Sequence, residues 1–202
     1  MKRLHRKDLW CWSVFATRIN VDFHGVCWVR PDGNVVIDPV ALSEHDRAHL
    51  GELGGVRTVI VTNKDHVRAT PDVVREFGAE VWGPAAEQAD FPLPCARWLA
   101  EGDEPLPGLR VLALDGSKTP GELALLLEDT TLITGDLVRA HRAGELMLLL
   151  PAQGLKDARA AAASVRRLSE LPRVQAVLVG DGWQLFENGK QHLEKLAASL
   201  ST

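Results

Sequence analysis

Val59-Ile60-Val61-Thr62-Asn63-Lys64-Asp65-His66 is the stretch on which the reading of this chain turns. The β-branched run within Arg57–Val61 reads as a buried strand, and it delivers a polar loop that sets a carboxylate beside an imidazole. Three other apolar runs end in the same way: Val35-Val36-Ile37-Asp38, Leu132-Ile133-Thr134-Gly135-Asp136 and Val177-Leu178-Val179-Gly180-Asp181. In layered α/β folds the loops beyond strand ends collect functional side chains, because rigid strands fix their positions. A single aspartate of this kind is more simply a turn former or a helix cap. Four at matching points make a pattern, and the glycine before Asp136 and before Asp181 lets backbone come close there.

Outward from these runs, strand and helix signals interleave in both halves, which argues for a layered α/β domain. Ile19–Phe23, Gly25–Val29 and Asn34–Ile37 read as short strands, with Pro31-Asp32-Gly33 as turn chemistry between the last two. Ser43–Leu53 reads as a helix capped by Ser43 and closed by Gly54-Gly55. A second helix starts at Thr70-Pro71 and stops at Gly78, followed by a strand over Ala79–Trp82. Pro84–Pro107 is proline-rich and aperiodic, and reads as loop with room for one helical turn. Leu109–Leu114, Glu122–Leu127 and Thr131–Thr134 are strands, the last two joined at Glu128-Asp129. Asp157–Leu171 is the clearest helix, Val174–Val179 a strand and Gly189–Leu200 a closing helix. One domain over residues 1–202 accommodates all of this.

Composition excludes several classes. With 46% hydrophobic and 25% charged residues the chain is globular rather than disordered. A net charge of −4 gives no basic footprint for nucleic acid, and the short basic run Lys2, Arg3, Arg6, Lys7 reads as a solvated terminus. No apolar stretch is long enough to span a bilayer, and no secretory signal is evident. Cys11, Cys27 and Cys95 are odd in number and widely spaced, as expected of reduced thiols in a cytoplasmic protein.

Beside the Asp65-His66 pair, three further motifs follow in order: Ser117-Lys118-Thr119-Pro120-Gly121, Thr134-Gly135-Asp136 and Gly180-Asp181-Gly182. Together they resemble the motif series of the metallo-β-lactamase fold superfamily: HxHxDH, Gly-His-Thr-Pro-Gly, Thr-Gly-Asp and Gly-His-Gly. The resemblance runs from the Asn34–Pro39 strand to Gly182 and implies a four-layer αββα sandwich. It also implies a place for two metals, and here the chain departs from the family. The first two histidines become Val61 and Asn63, and the third becomes Lys118. Valine cannot ligate, asparagine ligates weakly and a lysine ammonium repels cations, so the first site is expected to be lost. The second site's positions hold Asp65, His66, Asp136 and Asp181, all of a type that can bind metal.

Two readings stay open. In one, a hydrolase holds one divalent metal (Zn, Mn or Fe) at those four residues, Asp65 or Asp181 orients water, and Lys118 stabilises developing negative charge. In the other, the fold persists as a non-catalytic binding or interaction module, with no metal and a salt-bridged pocket in which Lys118 neutralises the acids. Either takes a small-molecule substrate or ligand of unknown kind, needs no membrane, and is compatible with a homo-oligomer.

The remaining candidates are weighed against plainer roles. Asp38 is expected to be mainly structural. His24, at a hairpin, and His141 are simplest as loop histidines, although His141 is placed to assist proton transfer if it faces the cleft. His45, His49 and His192 read as solvent-facing. Arg68 and Arg139 flank the motif loops and read as surface arginines. Trp10 and Trp12 alternate at strand spacing, and Trp183 follows the last motif, where it can wall a pocket.

Overall fold

The computed structural model describes residues 1–200, which cluster into two compact units, Met1–Trp98 and a second that begins at Leu99. In the first, β1 (Lys2–Arg3), β2 (Leu9–Ala16), β3 (Val21–Trp28), β4 (Val35–Ile37), β5 (Thr58–Ile60), β6 (Glu80–Pro84) and β7 (Arg97–Leu99) lie side by side in chain order. The strands from β1 to β4 pair antiparallel, whereas β4, β5 and β6 run parallel. Parallel neighbours need crossovers, and α1 (Glu44–Glu52) and α2 (Thr70–Phe77) supply them. Ser43 Oγ accepts the Asp46 N–H at the start of α1. Gly78 ends α2 in the left-handed region, at φ 68°. Leu50 of α1 and Val73 of α2 are wholly buried against Val36, Val59 and Val81 of the parallel strands.

The two short strands expected at Ile19–Phe23 and Gly25–Val29 are one continuous strand, β3, paired with β2 from Leu9↔Trp28 to Ala16↔Val21. Gly25 marks a close approach and not a break. Trp12, its partner across the ladder, lays its indole over the glycine, and a Cβ there would stand 2.6 Å from the ring. Trp10, on the same face of β2, meets His49 of α1 edge-on at 4.6 Å, so His49 is a packing residue.

The second unit contains β8 (Leu109–Ala113), β9 (Leu123–Leu127), β10 (Thr131–Thr134), β11 (Val138–Arg142), β12 (Glu145–Leu148) and β13 (Ala176–Val179). Its four-stranded sheet has the order β13-β10-β9-β8, parallel only at β10–β13, and β11–β12 form a separate hairpin. Glu128 and Asp129 turn β9 into β10 at φ 45° and 58°, conformations acidic residues tolerate better than branched ones. Asp157 caps α3 (Ala158–Ser169) by accepting the Arg159 and Ala160 N–H groups. Ala161, Val165 and Leu168 of α3 pack with Leu193 and Leu196 of α4 (Gly189–Ser199) over Leu126, Leu132 and Val177.

Sequence analysis does not pick out β11: Val138-Arg139-Ala140-His141 alternates apolar and polar over too short a run, and the burial of Val138, Arg139 and Ala140 does not follow that alternation. Pro84–Pro107, expected as loop with one helical turn, has such a turn at Ala85–Glu87 and, beyond that expectation, the strand β7. Among the described residues no helix is long and apolar enough to cross a membrane.

Candidate functional site

In the first unit, β4 and β5 are parallel with Ile37 opposite Ile60, so both strands leave the sheet side by side. Asp38 follows β4 at φ 47°, and its N–H donates to the Ile60 carbonyl at 3.0 Å. Its buried carboxylate is a hub. It accepts the Thr62 N–H at 2.8 Å, the Thr62 hydroxyl at 2.5 Å and His66 Nδ1 at 2.7 Å. His66 ends a single helical turn, Lys64–His66, which Asn63 caps by accepting the Asp65 N–H at 3.0 Å. The Asp65 side chain is exposed.

Arg68 completes this cluster, its Nη2 lying 2.9 Å from His66 Nε2. A guanidinium only donates, so Nε2 accepts and the ring proton sits on Nδ1, facing Asp38. His66 is then neutral, with both nitrogens committed. Arg68 is held in turn by the His24 carbonyl at 3.4 Å and by the Phe23 ring, 4.8 Å from the guanidinium carbon. His24 itself lies within β3, not at a hairpin turn, and its Nδ1 is 3.6 Å from Cys11 Sγ. Burial pushes the Cys11 and Cys27 thiols up to about 12, so neither is a reactive thiolate.

The second unit repeats the arrangement with different chemistry. Parallel β10 and β13, with Thr134 opposite Val179, lead to Asp136 and Asp181. Asp136 Oδ2 is 2.8 Å from Lys118 Nζ, and its Oδ1 accepts Arg139 Nη2 at 2.9 Å. Arg139 also reaches Asp181 Oδ2, at 3.3 Å from Nη1, and its Nε donates to the Asp136 carbonyl at 3.0 Å. His141 Nε2 lies 2.8 Å from the same Asp181 Oδ2. Asp181 Oδ1 is buried with no hydrogen-bond partner. Lys118 and Arg139 thus balance Asp136 and Asp181 charge for charge.

Three expectations are corrected here. Arg139 is not a surface arginine, because its side chain is only 6% exposed and lies between two carboxylates. Arg68 is half-buried and serves His66. His141 belongs to β11 and bonds to Asp181, so it is not an idle loop histidine. Trp183 is 60% exposed.

The donor set does not fit a divalent ion. His66 Nε2 faces a guanidinium, both Asp136 oxygens face cations, and Asp181 Oδ2 is shared by Arg139 and His141. Asp181 Oδ1 and the exposed Asp65 carboxylate are left, and these oxygens alone do not make a metal site. Among the described residues no three His, Cys, Asp or Glu side chains are grouped to hold a metal.

Comparison with known proteins agrees with this architecture. The family model described as the metallo-beta-lactamase superfamily matches residues 1–200. The chain belongs to that superfamily. Among solved structures, the DIM-1 metallo-beta-lactamase exposed to ceftazidime is similar over 98% of this chain and 96% of its own, at 13% identity and TM-score 0.75. A metallo-beta-lactamase from Pontibacter korlensis is similar over 97% of each chain, at 17% identity and TM-score 0.73. TTHA1623, solved in a di-iron-bound form, is 25% identical over 87% of this chain and 94% of its own, with TM-score 0.67. No curated protein sequence matches. The fold is therefore the mixed α/β fold of metallo-β-lactamases, a superfamily whose members bind divalent metals.

Two residues that hold the motif loops are not singled out by the sequence. Glu122, wholly buried, accepts the Asp136 and Leu137 N–H groups at 2.6 and 3.0 Å and the Ser117 hydroxyl at 3.1 Å. Glu87, equally buried, accepts the Lys64 N–H at 2.6 Å. A glutamate at a strand start or in a proline-rich segment carries no signal of burial, because its partners are backbone groups remote in sequence.

Gly182, the last residue of the fourth motif, is explained by contact. It bridges to Ala140 of β11, has φ 105°, and a Cβ there would overlap the Ala140 carbonyl oxygen. That approach sets Arg139 and His141, on either side of Ala140, against Asp181. Gly182→Ala is expected to cost about 2 kcal/mol from strain at this φ and the forced separation. Urea unfolding measures it, and a loss below about 0.5 kcal/mol would mean that the loop does not depend on this approach.

Proposed function

We propose that this superfamily member is a non-catalytic binding module rather than a metal-dependent hydrolase. The observation that supports this most directly is Asp136, both of whose carboxylate oxygens meet cations of the chain itself, Lys118 and Arg139. In the competing reading Asp136 is a metal ligand, together with Asp65, His66 and Asp181. A carboxylate already held between an ammonium and a guanidinium in a buried setting gains little from a metal, which must first displace those cations. The Arg68 contact to His66 Nε2 argues the same way. On this reading residues 1–202 act as one cytoplasmic domain, and the ligand is a small molecule rather than nucleic acid.

Metal content tests this proposal. After loading with Zn, Mn and Fe and exhaustive desalting, elemental analysis should find less than about 0.1 metal per chain. About one tightly held metal per chain, lost in Asp136→Ala, would instead establish the one-metal hydrolase and justify a substrate screen.

A further inference from the structure

We infer that the outer edge of β2 is a self-association surface, through which two copies of this chain pair antiparallel about Val14 and join their first-unit sheets into one. The pairing stands whether or not the motif loops hold a ligand.

β2 is the second strand of its sheet, yet only part of its outer edge is covered. β1 sets Lys2 opposite Cys11 and Arg3 opposite Trp10, and among the described residues no strand lies beyond Trp12–Ala16 on that side. Backbone direction identifies the open groups. The Leu9 carbonyl accepts the Leu4 N–H at 2.9 Å, so Leu9 faces the β1 side. The Ala16 carbonyl turns the other way, into the β2–β3 hairpin, and accepts the Asn20 N–H at 2.9 Å. Backbone groups alternate direction along an antiparallel strand, so Cys11, Ser13 and Phe15 share the outer edge with Leu9. Cys11 meets Lys2, whereas Ser13 and Phe15 lie past the end of β1.

An open edge is ordinarily guarded by charge, by proline or by a bulge. Trp12-Ser13-Val14-Phe15-Ala16 has no charged residue and no proline, and β2 pairs with β3 in unbroken register from Leu9↔Trp28 to Ala16↔Val21. β1 brings Lys2 and Arg3, but their guard ends at Cys11. Val14 and Phe15 are 38% and 53% exposed, an apolar cost that a neighbouring strand would relieve.

The occupant that fits is a second copy. A two-fold pairing presents the same segment from both sides, and it closes after one contact. Val14 is the middle residue of the open segment, so with Val14 on the axis Ser13 of each copy stands opposite Phe15 of the other, and Trp12 opposite Ala16. The outward-facing Ser13 and Phe15 then exchange both of their N–H···O bonds, and the two Val14 residues meet with Cα atoms about 4.5 Å apart. The paired segment ends on each side where β1 begins. No charges oppose one another along it. One short strand per copy is a small contact, so the dimer is weak, with a Kd of about 100 µM.

Sedimentation velocity of the full chain, from about 5 to 500 µM, should show monomer converting to dimer with no larger species. Val14→Lys sets two ammonium groups side by side at the axis, and Phe15→Pro removes an outward N–H without touching the β2–β3 ladder. Each should weaken the dimer at least about tenfold. Val14→Glu alone should weaken it equally, whereas a mixture of Val14→Lys and Val14→Glu chains should restore a dimer to within about threefold of wild type. A folding defect does not reproduce that rescue.

A wild-type chain still monomeric at about 500 µM overturns the inference and leaves the edge to an extended segment of another protein. A dimer that neither Val14→Lys nor Phe15→Pro weakens also overturns it, because the contact then lies elsewhere. Weakening in the single variants without rescue in the mixture rules out pairing about Val14 and overturns it as well.

Discussion

Asp38→Ala is expected to lower the free energy of unfolding by about 4 kcal/mol, measured by urea titration at neutral pH. The carboxylate is 3% exposed and accepts three hydrogen bonds: the Thr62 N–H, the Thr62 hydroxyl and His66 Nδ1. Truncation strands these donors away from water and leaves the Arg68 guanidinium, 2.9 Å from His66 Nε2, with no carboxylate on the far side of the imidazole. It also places alanine at φ 47°, where an aspartate is better tolerated. Thr62→Val serves as the control, since it removes the hydroxyl donor and keeps the other two bonds, and should cost only about 1 kcal/mol. Equal losses in the two variants would show that Asp38 is not the hub of this cluster.

Glu122→Ala is expected to cost about 3 kcal/mol, for a related reason in the second unit. Three buried donors converge on this carboxylate, and two of them are the backbone N–H groups of Asp136 and Leu137, which set the direction of the third motif loop. Alanine leaves all three unsatisfied. Glu122→Gln retains a carbonyl oxygen for the two N–H groups and turns its amide toward Ser117 Oγ, which can accept in its turn. It should therefore cost only about 1 kcal/mol. Such a gap between the two variants separates hydrogen-bond acceptance from charge. If glutamine were as damaging as alanine, the negative charge itself would be the stabilising element.

Much of the scaffold is legible because its signals are local. Ser43 and Asp157 cap their helices as their position before helical stretches indicates, and Gly78 stops α2 where a left-handed residue is required. The apolar runs of β9, β10 and β13 are buried at every position, as continuous hydrophobicity demands. Strand ends that carry aspartates are also legible, and the parallel pairings β4–β5 and β10–β13 explain why those ends come in pairs.

Other features depend on partners that local pattern cannot name. Gly25 reads as a break until Trp12 is seen lying across it. β11 is a short run whose Arg139 is buried where alternation would expose it. Arg68 and Arg139 resemble any surface arginine in sequence. What buries them is the arrival of His66 in one case and of two carboxylates in the other.

By itself, then, the sequence determined the superfamily, most of the helices and central strands, and the positions at which ligands of a metal site would stand. These follow from hydrophobic period, capping chemistry and motif order, all properties of neighbouring residues. The tertiary structure decided what those positions hold: His66 between Asp38 and Arg68, Asp136 between Lys118 and Arg139, and Asp181 shared by Arg139 and His141. The physical reason is that a buried charge must be neutralised by whatever the fold brings within about 3 Å, and that partner is set by three-dimensional packing, not by sequence separation.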